Sequence, residues 1–293
     1  MNKNIQIYKL DGGMLFELNK LFGDIGSNAI LYHKETIINI YTKYLNLGCD
    51  YITTCNYGFK SLKYNNWKLL IYNTFVTITN LKKLNIKNNN YKILCCLPPY
   101  YESYQDGKID INFIEYYKYI IKIMDNIIDA YIIETAISPI HISQILKIIE
   151  ETTKKKVIIS IYPNNLINKI DLQCILNSYN NNILGLTVNC CSFNSMIEYY
   201  KNNILELNID KNILLGFYCN MLNEVEYNNI DNNKKVSNVK LQYYKNNNII
   251  TKNDLNHFFD IYTKENSLLI GGCCGYGINE MKILINLLDT ISS

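Results

Sequence analysis

The sequence predicts an α/β fold, a single (β/α)8 TIM barrel, on three observations. Short apolar, β-branched runs alternate with stretches of helical periodicity from one end of the chain to the other. Eight such units fit into 293 residues, the size of one barrel of this kind, whose typical length is about 250. A doubly wound open sheet shows the same alternation but ordinarily carries a glycine fingerprint after its first strand. Neither G-x-G-x-x-G nor G-x-x-x-x-G-K-[ST] occurs. With no Pro/Ser-rich linker and no internal repeat beyond the βα unit, residues 1–293 read as one domain.

Taken in order, the first strand is 5–10 (IQIYKL), ending in Asp11-Gly12-Gly13-Met14, with a helical pattern at 35–47. The second, 51–55, runs into Asn56-Tyr57, and the third, 92–97 (KILCCL), into Pro98-Pro99 ahead of a helix at 112–126. The fourth, 130–134 (AYIIE), stops at Glu134-Thr135 before a helix at 141–152, and 157–162 (VIISIY) is the fifth. The sixth, 183–189, ends at Asn189-Cys190-Cys191 and feeds a helix at 192–205. The seventh is 212–218, followed by a helix at 254–264. The eighth, 268–271, opens onto Gly272-Cys273-Cys274-Gly275, and a helix at 278–288 closes the pattern. Asn-rich stretches at 85–90, 228–235 and 245–248 fall between periodic segments and read as loop filler. The segment 220–251 reads as a long loop, either a lid or unstructured. The excess of Asn, Lys, Ile and Tyr, with 26 tyrosines, reads as coding bias and not as function.

A composition of 48% hydrophobic and 19% charged residues excludes disordered, collagenous and membrane classes. The net charge of +3 and a densest basic run of only Lys154-Lys155-Lys156 argue against a nucleic-acid surface. The N-terminal residues lack the apolar core of a signal peptide, and no window reaches the roughly 18 to 20 apolar residues of a membrane span. A cytoplasmic protein with reduced thiols is expected. Its ten cysteines include no C-x-x-C but three adjacent pairs, Cys95-Cys96, Cys190-Cys191 and Cys273-Cys274.

In such a barrel the functional residues come from the C-terminal ends of the strands. Strands six and eight both feed the same interior layers, so Cys190 can converge with Cys273 and Cys274. Three soft thiolates select zinc and leave a fourth tetrahedral position open, the arrangement of a catalytic site. For consecutive residues to share one ion the pleat alternation must break, and Gly271, Gly272 and Gly275 are expected to permit it. From the residues alone, buried and inert cysteine pairs stay open as the alternative. Cys95-Cys96, in an apolar run without flanking glycines, reads as core packing. His33, His141 and His257 form no H-E-x-x-H and read as surface or helix residues; G-x-S-x-G is absent. Glu134 with Asp11 or Glu102 is a weak paired-carboxylate signal for a metal-free hydrolase.

With DGGM after the first strand, ET after the fourth, VNC at the end of the sixth and GGCCG after the eighth, the chain resembles the homocysteine S-methyltransferase family over nearly its whole length. Ser27-Asn28-Ala29, TTCNY at 53–57, LPPYYESY at 97–104 and Ser160 are further echoes. The resemblance implies a zinc-dependent barrel that transfers a methyl group to the thiolate of L-homocysteine, giving methionine. By position it implies Cys190, Cys273 and Cys274 as zinc ligands, and Asp11 and Glu134 as the acidic groups of the homocysteine pocket. Asn189, on the substrate side with them, is implied to support the site through hydrogen bonding. No protein nucleophile is implied, since the metal-activated substrate thiolate attacks.

A single barrel of this size resembles members that use S-methylmethionine or, less efficiently, S-adenosylmethionine, so a sulfonium donor is expected. The loop Tyr100-Tyr101-Glu102-Ser103-Tyr104 either faces that cation or is ordinary surface. The sequence also departs from the family pattern. DGGMLFEL puts Leu15 and Phe16 where Gly and Thr are usual, reshaping the mouth near Asp11. Cys55 stands where Asn is common, as an added thiol or a spectator. The stretch Gly275 to Glu280 lacks the usual Pro-Glu-His, a change in helix capping. A non-catalytic zinc-binding barrel and a methyltransferase with a different thiol acceptor are the other readings.

Overall fold

A barrel strand packs helices on its outer side and other strands' side chains on its inner side, so its residues are apolar without alternation. The computed structural model bears this out: all five residues of Val157–Ile161 and all six of Leu214–Cys219 are buried. It describes residues 5–23, 28–59, 65–84, 86, 90–101, 103–163, 166–221 and 249–292. Glu102 and residues 222–248 of the expected long loop lie outside the described residues, as do Ser27 and most of the Asn-rich stretches.

The strands are β1 (Ile7–Lys9), β2 (Tyr51–Thr53), β3 (Lys92–Leu97), β4 (Ala130–Ala136), β5 (Val157–Ile161), β6 (Ile183–Asn189), β7 (Leu214–Cys219) and β8 (Leu268–Gly272). They pair in parallel in the order β1-β8-β7-β6-β5-β4-β3-β2. The two ends of this sheet meet in a short seam. Leu10 bridges Tyr51, the Asp11 N–H donates to the Tyr51 carbonyl at 3.0 Å, and the Asp50 N–H donates to the Lys9 carbonyl at 2.8 Å. The architecture is the expected (β/α)8 barrel.

The helices are α1 (Met14–Phe22), α2 (Ala29–Tyr32), α3 (Lys34–Asn46), α4 (Trp67–Lys82), α5 (Ile111–Met124), α6 (Pro139–Thr152), α7 (Lys169–Tyr179), α8 (Phe193–Tyr199), α9 (Lys252–Ile261) and α10 (Ile278–Ser292). Helix α4 is rich in β-branched and polar residues that favour other conformations. It is held as a helix by its buried face, Leu70, Ile71, Ile78 and Leu81, and the buried Asn73, Thr74 and Thr77 satisfy their side chains on the carbonyls of Leu69, Leu70 and Asn73 at 2.8–3.1 Å. The expected helix at 192–205 divides: α8 gives way to a π-helical turn over Tyr200–Ile204. There the buried Tyr200 hydroxyl donates to the Gly216 carbonyl of β7 at 2.8 Å.

Leu10, Leu94, Ala130, Ile132, Ile158, Tyr218 and Leu269 fill the barrel interior, and a larger apolar layer joins the strands to the helices. The β4–β5 register slips between Ile133 and Ala136. At that bulge Thr135 takes φ 55°, and β4 runs two residues past the predicted end at Glu134.

Candidate active site

Three non-glycine residues among those described adopt the left-handed conformation: Tyr104 (φ 69°), Thr135 (φ 55°) and Cys190 (φ 59°). All three stand at the C-terminal ends of the strands or in the segments after them. A left-handed residue with a side chain costs about 1–2 kcal/mol, so the surrounding contacts must hold each in place.

For Cys190 those contacts come from the last residues of β7 and the residue just past it. The Cys190 N–H donates to the Tyr218 carbonyl at 3.1 Å, and its own carbonyl accepts from Asn220 Nδ2 at 2.7 Å. The same short stretch binds the end of β8. The Cys273 N–H donates to the Cys219 carbonyl at 2.8 Å, and the Met221 N–H donates to the Cys274 carbonyl at 2.9 Å. Residues 219–221 therefore staple the two cysteine-bearing ends together. Cys190 leaves its strand through a left-handed turn of its own, and beside the consecutive pair Cys273-Cys274 the backbone freedom expected of Gly271, Gly272 and Gly275 is used at one position. Of those three only Gly275 has a positive φ, 92°. Gly271 and Gly272 instead allow close approach: a Cβ would lie 2.7 Å from Leu10 Cβ or 2.2 Å from Tyr276 Cβ.

The staple brings Cys190, Cys273 and Cys274 together, with their three Sγ atoms within 4.8 Å of one another. The separations are 3.1 Å for Cys190–Cys273 and 3.9 Å for each of the other two pairs. Metal–sulfur bonds of about 2.3 Å in tetrahedral array place sulfurs roughly 3.8 Å apart, so two edges already have that length and the third opens by under 1 Å. The donor set suits a soft divalent ion. The Cys274 thiol is drawn well below its ordinary range by hydrogen bonds from Cys190 and Cys273, while Cys273, as donor to Cys190, is pushed up.

Facing the sulfurs is a cavity of about 160 Å³. Asp11 and Glu134 line it together with Thr53, Thr135, Asn189 and Tyr218. Asp11 is buried, and burial pushes its carboxyl up against the opposing pull of two bonds from Thr53, N–H to Oδ2 at 3.0 Å and Oγ1 to Oδ1 at 3.1 Å. Burial likewise raises Glu134, to about 7. Cys96 Sγ donates to its Oε2 at 2.6 Å and the Tyr218 hydroxyl to its Oε1 at 3.3 Å. Asn189 spends its amide on Thr135, accepting from the N–H at 3.2 Å and reaching Oγ1 at 3.3 Å. Met14, Leu15, Leu18, Ile30, Ile37 and Phe59 form the apolar wall, and among the described residues no lysine or arginine lines the cavity.

A sequence model of the homocysteine S-methyltransferase family matches residues 9–288. The chain belongs to this family. In fold it is similar to the homocysteine methyltransferase MmuM from Escherichia coli, in metallated form (TM-score 0.64, 14% identity) and oxidized form (TM-score 0.67, 15% identity). Each comparison covers 97% of this chain and 96% of the other. No curated protein sequence matches the chain.

Within the family framework the residues singled out from sequence, Asp11, Glu134, Asn189, Cys190, Cys273 and Cys274, all line this one cavity. Leu15, at the unusual DGGMLF stretch, joins its apolar wall, whereas Phe16 carries the Lys20 ammonium 4.2 Å above its ring. Cys55 also lines the cavity, its thiol raised by burial to about 11. The aromatic loop differs from expectation. Tyr100 packs into the core against Phe113 and Tyr116, and none of Tyr100, Tyr101 or Tyr104 lines the cavity. Of the Cys95-Cys96 pair only Cys95 joins the layer between strands and helices. Cys96, also expected in the core, turns inward to Glu134, an outcome that strand alternation foretells once Leu94 is placed in the interior. Asn220 gave no signal, because its role depends on a backbone carbonyl 30 residues away. No described helix is long and apolar enough to cross a membrane.

Proposed function

We propose that this chain is a zinc-dependent methyltransferase that moves a methyl group from a sulfonium donor, S-methylmethionine or S-adenosylmethionine, to the sulfur of L-homocysteine, giving methionine. The observation that carries the reading is the convergence of three cysteine sulfurs on one side of a cavity that also presents the carboxyl groups of Asp11 and Glu134. Cys190, Cys273 and Cys274 would hold the metal. A bound zinc ion would supply a place for the acceptor sulfur and lower its pKa, so that it is a thiolate at neutral pH.

The chain's own residues do the rest. Asp11, fixed by Thr53, and Glu134, fixed by Cys96 and Tyr218, present carboxylate oxygens suited to an amino acid's ammonium group. That orientation aims the acceptor sulfur along the cavity, where positioning alone lowers the barrier to bimolecular attack. The apolar wall excludes water from the path of attack. A cationic donor matches a cavity that has carboxyl groups and, among the described residues, no lining cation. As the sulfur–methyl bond forms, the donor's carbon–sulfonium bond breaks and the donor leaves as a neutral thioether; the acceptor's thiol proton has gone to solvent.

The test is methionine formation from L-homocysteine with S-methylmethionine, S-adenosylmethionine and betaine in parallel, on reduced protein of known zinc content. Turnover with a sulfonium and one zinc per chain is the expected result. Cys273→Ser should lose metal and turnover together, and full activity in a metal-free variant would overturn the reading.

A further inference from the structure

Tyr104 approaches the sulfur cluster from outside the cavity. It belongs to the segment between β3 and α5, does not line the cavity, and donates its hydroxyl to Cys190 Sγ at 3.3 Å. Its ring packs on Tyr162, just past β5, with centroids 4.5 Å apart and planes inclined by 53°. Its backbone is left-handed, with φ 69°, a conformation that a tyrosine keeps only where neighbouring contacts enforce it.

Those contacts surround it. Ser103 Oγ lies 2.8 Å from the Tyr57 hydroxyl, which in turn donates to Thr135 Oγ1 at 3.1 Å. Farther along, the Gly107 carbonyl sits 2.7 Å from His141 Nε2, and the Tyr101 hydroxyl donates to the Lys108 carbonyl at 2.5 Å. The segment is thus tied to the turn after β2, to β4 and to α6, and at its strained residue a phenol meets one of the three sulfurs. Thr135, another left-handed residue, belongs to the same chain of hydroxyls.

We propose that Tyr104 is a positioning residue for the metal centre, its hydroxyl donating to the Cys190 sulfur while that sulfur binds zinc. The inference rests on the metal reading given above and adds a residue to it. A hydrogen bond to a metal-bound thiolate withdraws negative charge from the sulfur, so less is donated to the ion. The ion then keeps more positive charge for the acceptor sulfur. The same bond fixes the rotation of the Cys190 side chain and so the direction of one ligand. Outer hydrogen bonds of this kind typically change metal affinity 10–100-fold.

The experiment uses the full-length chain loaded with cobalt(II), whose thiolate-to-metal charge-transfer band reports directly on sulfur. Tyr104→Phe removes the hydroxyl and keeps the ring on Tyr162. The band should move to lower energy, and zinc competition with a chromophoric chelator should show affinity weakened about tenfold. A second variant, Tyr104→Leu, should give the same spectral shift, because both lack the donor. An unshifted band in Tyr104→Phe with zinc affinity within about twofold of wild type overturns the inference, as does a shift confined to Tyr104→Leu, which would assign the role to ring packing. If the wild-type chain binds neither cobalt nor zinc, the metal reading itself falls; a wild type that binds beside a silent Tyr104→Phe removes only the role of the tyrosine.

Discussion

Glu134 should cost the protein stability in proportion to its use. Burial displaces its carboxyl from an ordinary 4.5 to about 7, and at about 1.4 kcal/mol per tenfold change in proton affinity this amounts to about 3 kcal/mol. The sign follows from proton counting. Between pH 4.5 and 7 the folded chain keeps the Glu134 proton more tightly than the unfolded chain does. The stability associated with this group is therefore complete below pH 4.5, is lost as pH rises toward 7, and stays lost above it. Glu134→Gln removes the titration and, like the protonated carboxyl, leaves one oxygen to accept from Cys96 or Tyr218 and a donor facing the other. Urea denaturation of reduced wild type and variant at several pH values between 4.5 and 8 measures the difference. The variant should gain on wild type by about 3 kcal/mol at pH 8, with the advantage shrinking steadily to nothing near pH 4.5, while its KM for homocysteine rises. A stability difference that stays flat across this range would refute the reasoning, because it would place the carboxylate in a solvated or fully compensated environment.

Other outcomes follow from the same geometry. Cys96→Ala should raise the KM for homocysteine about tenfold with little change in kcat, and Cys96→Ser should restore it, since a hydroxyl donates to the Glu134 oxygen as the thiol does; kinetics of the two variants side by side decide it. Gly272→Ala should cost about 1–3 kcal/mol in a denaturation curve, because the new Cβ meets Tyr276 Cβ at 2.2 Å and backbone or ring has to move.

Much of this site is legible in the sequence because barrel chemistry collects at strand ends, and strand ends can be read. Asp11, Glu134 and the three cysteines are each the last residue of a β-branched run or one of the next few. Periodicity fails where position depends on backbone detail. The bulge at Thr135 leaves no trace in AYIIETA, and the left-handed turn at Cys190 arises from bonds to Tyr218 and Asn220. The glycines beside the cysteines do mark something, the tight seating of Tyr276 and Leu10 against β8. Helix α4 shows the opposite failure: its β-branched residues read poorly as helix until the buried face of Leu70, Ile71, Ile78 and Leu81 is seen holding it.

The seam between β1 and β2 gives Asp11 a second occupation. Each strand there has three residues, and one bridge joins them. Past that bridge the Thr53 N–H donates to the Asp11 side chain where a regular ladder would offer a main-chain carbonyl. A carboxylate thus serves as the last rung of the barrel's closure while its other face looks into the cavity. A cation bound at Asp11 would therefore load the joint at which the cylinder closes. The amide proton of Thr53 is the gauge on that joint, and its exchange with solvent should slow when the pocket fills.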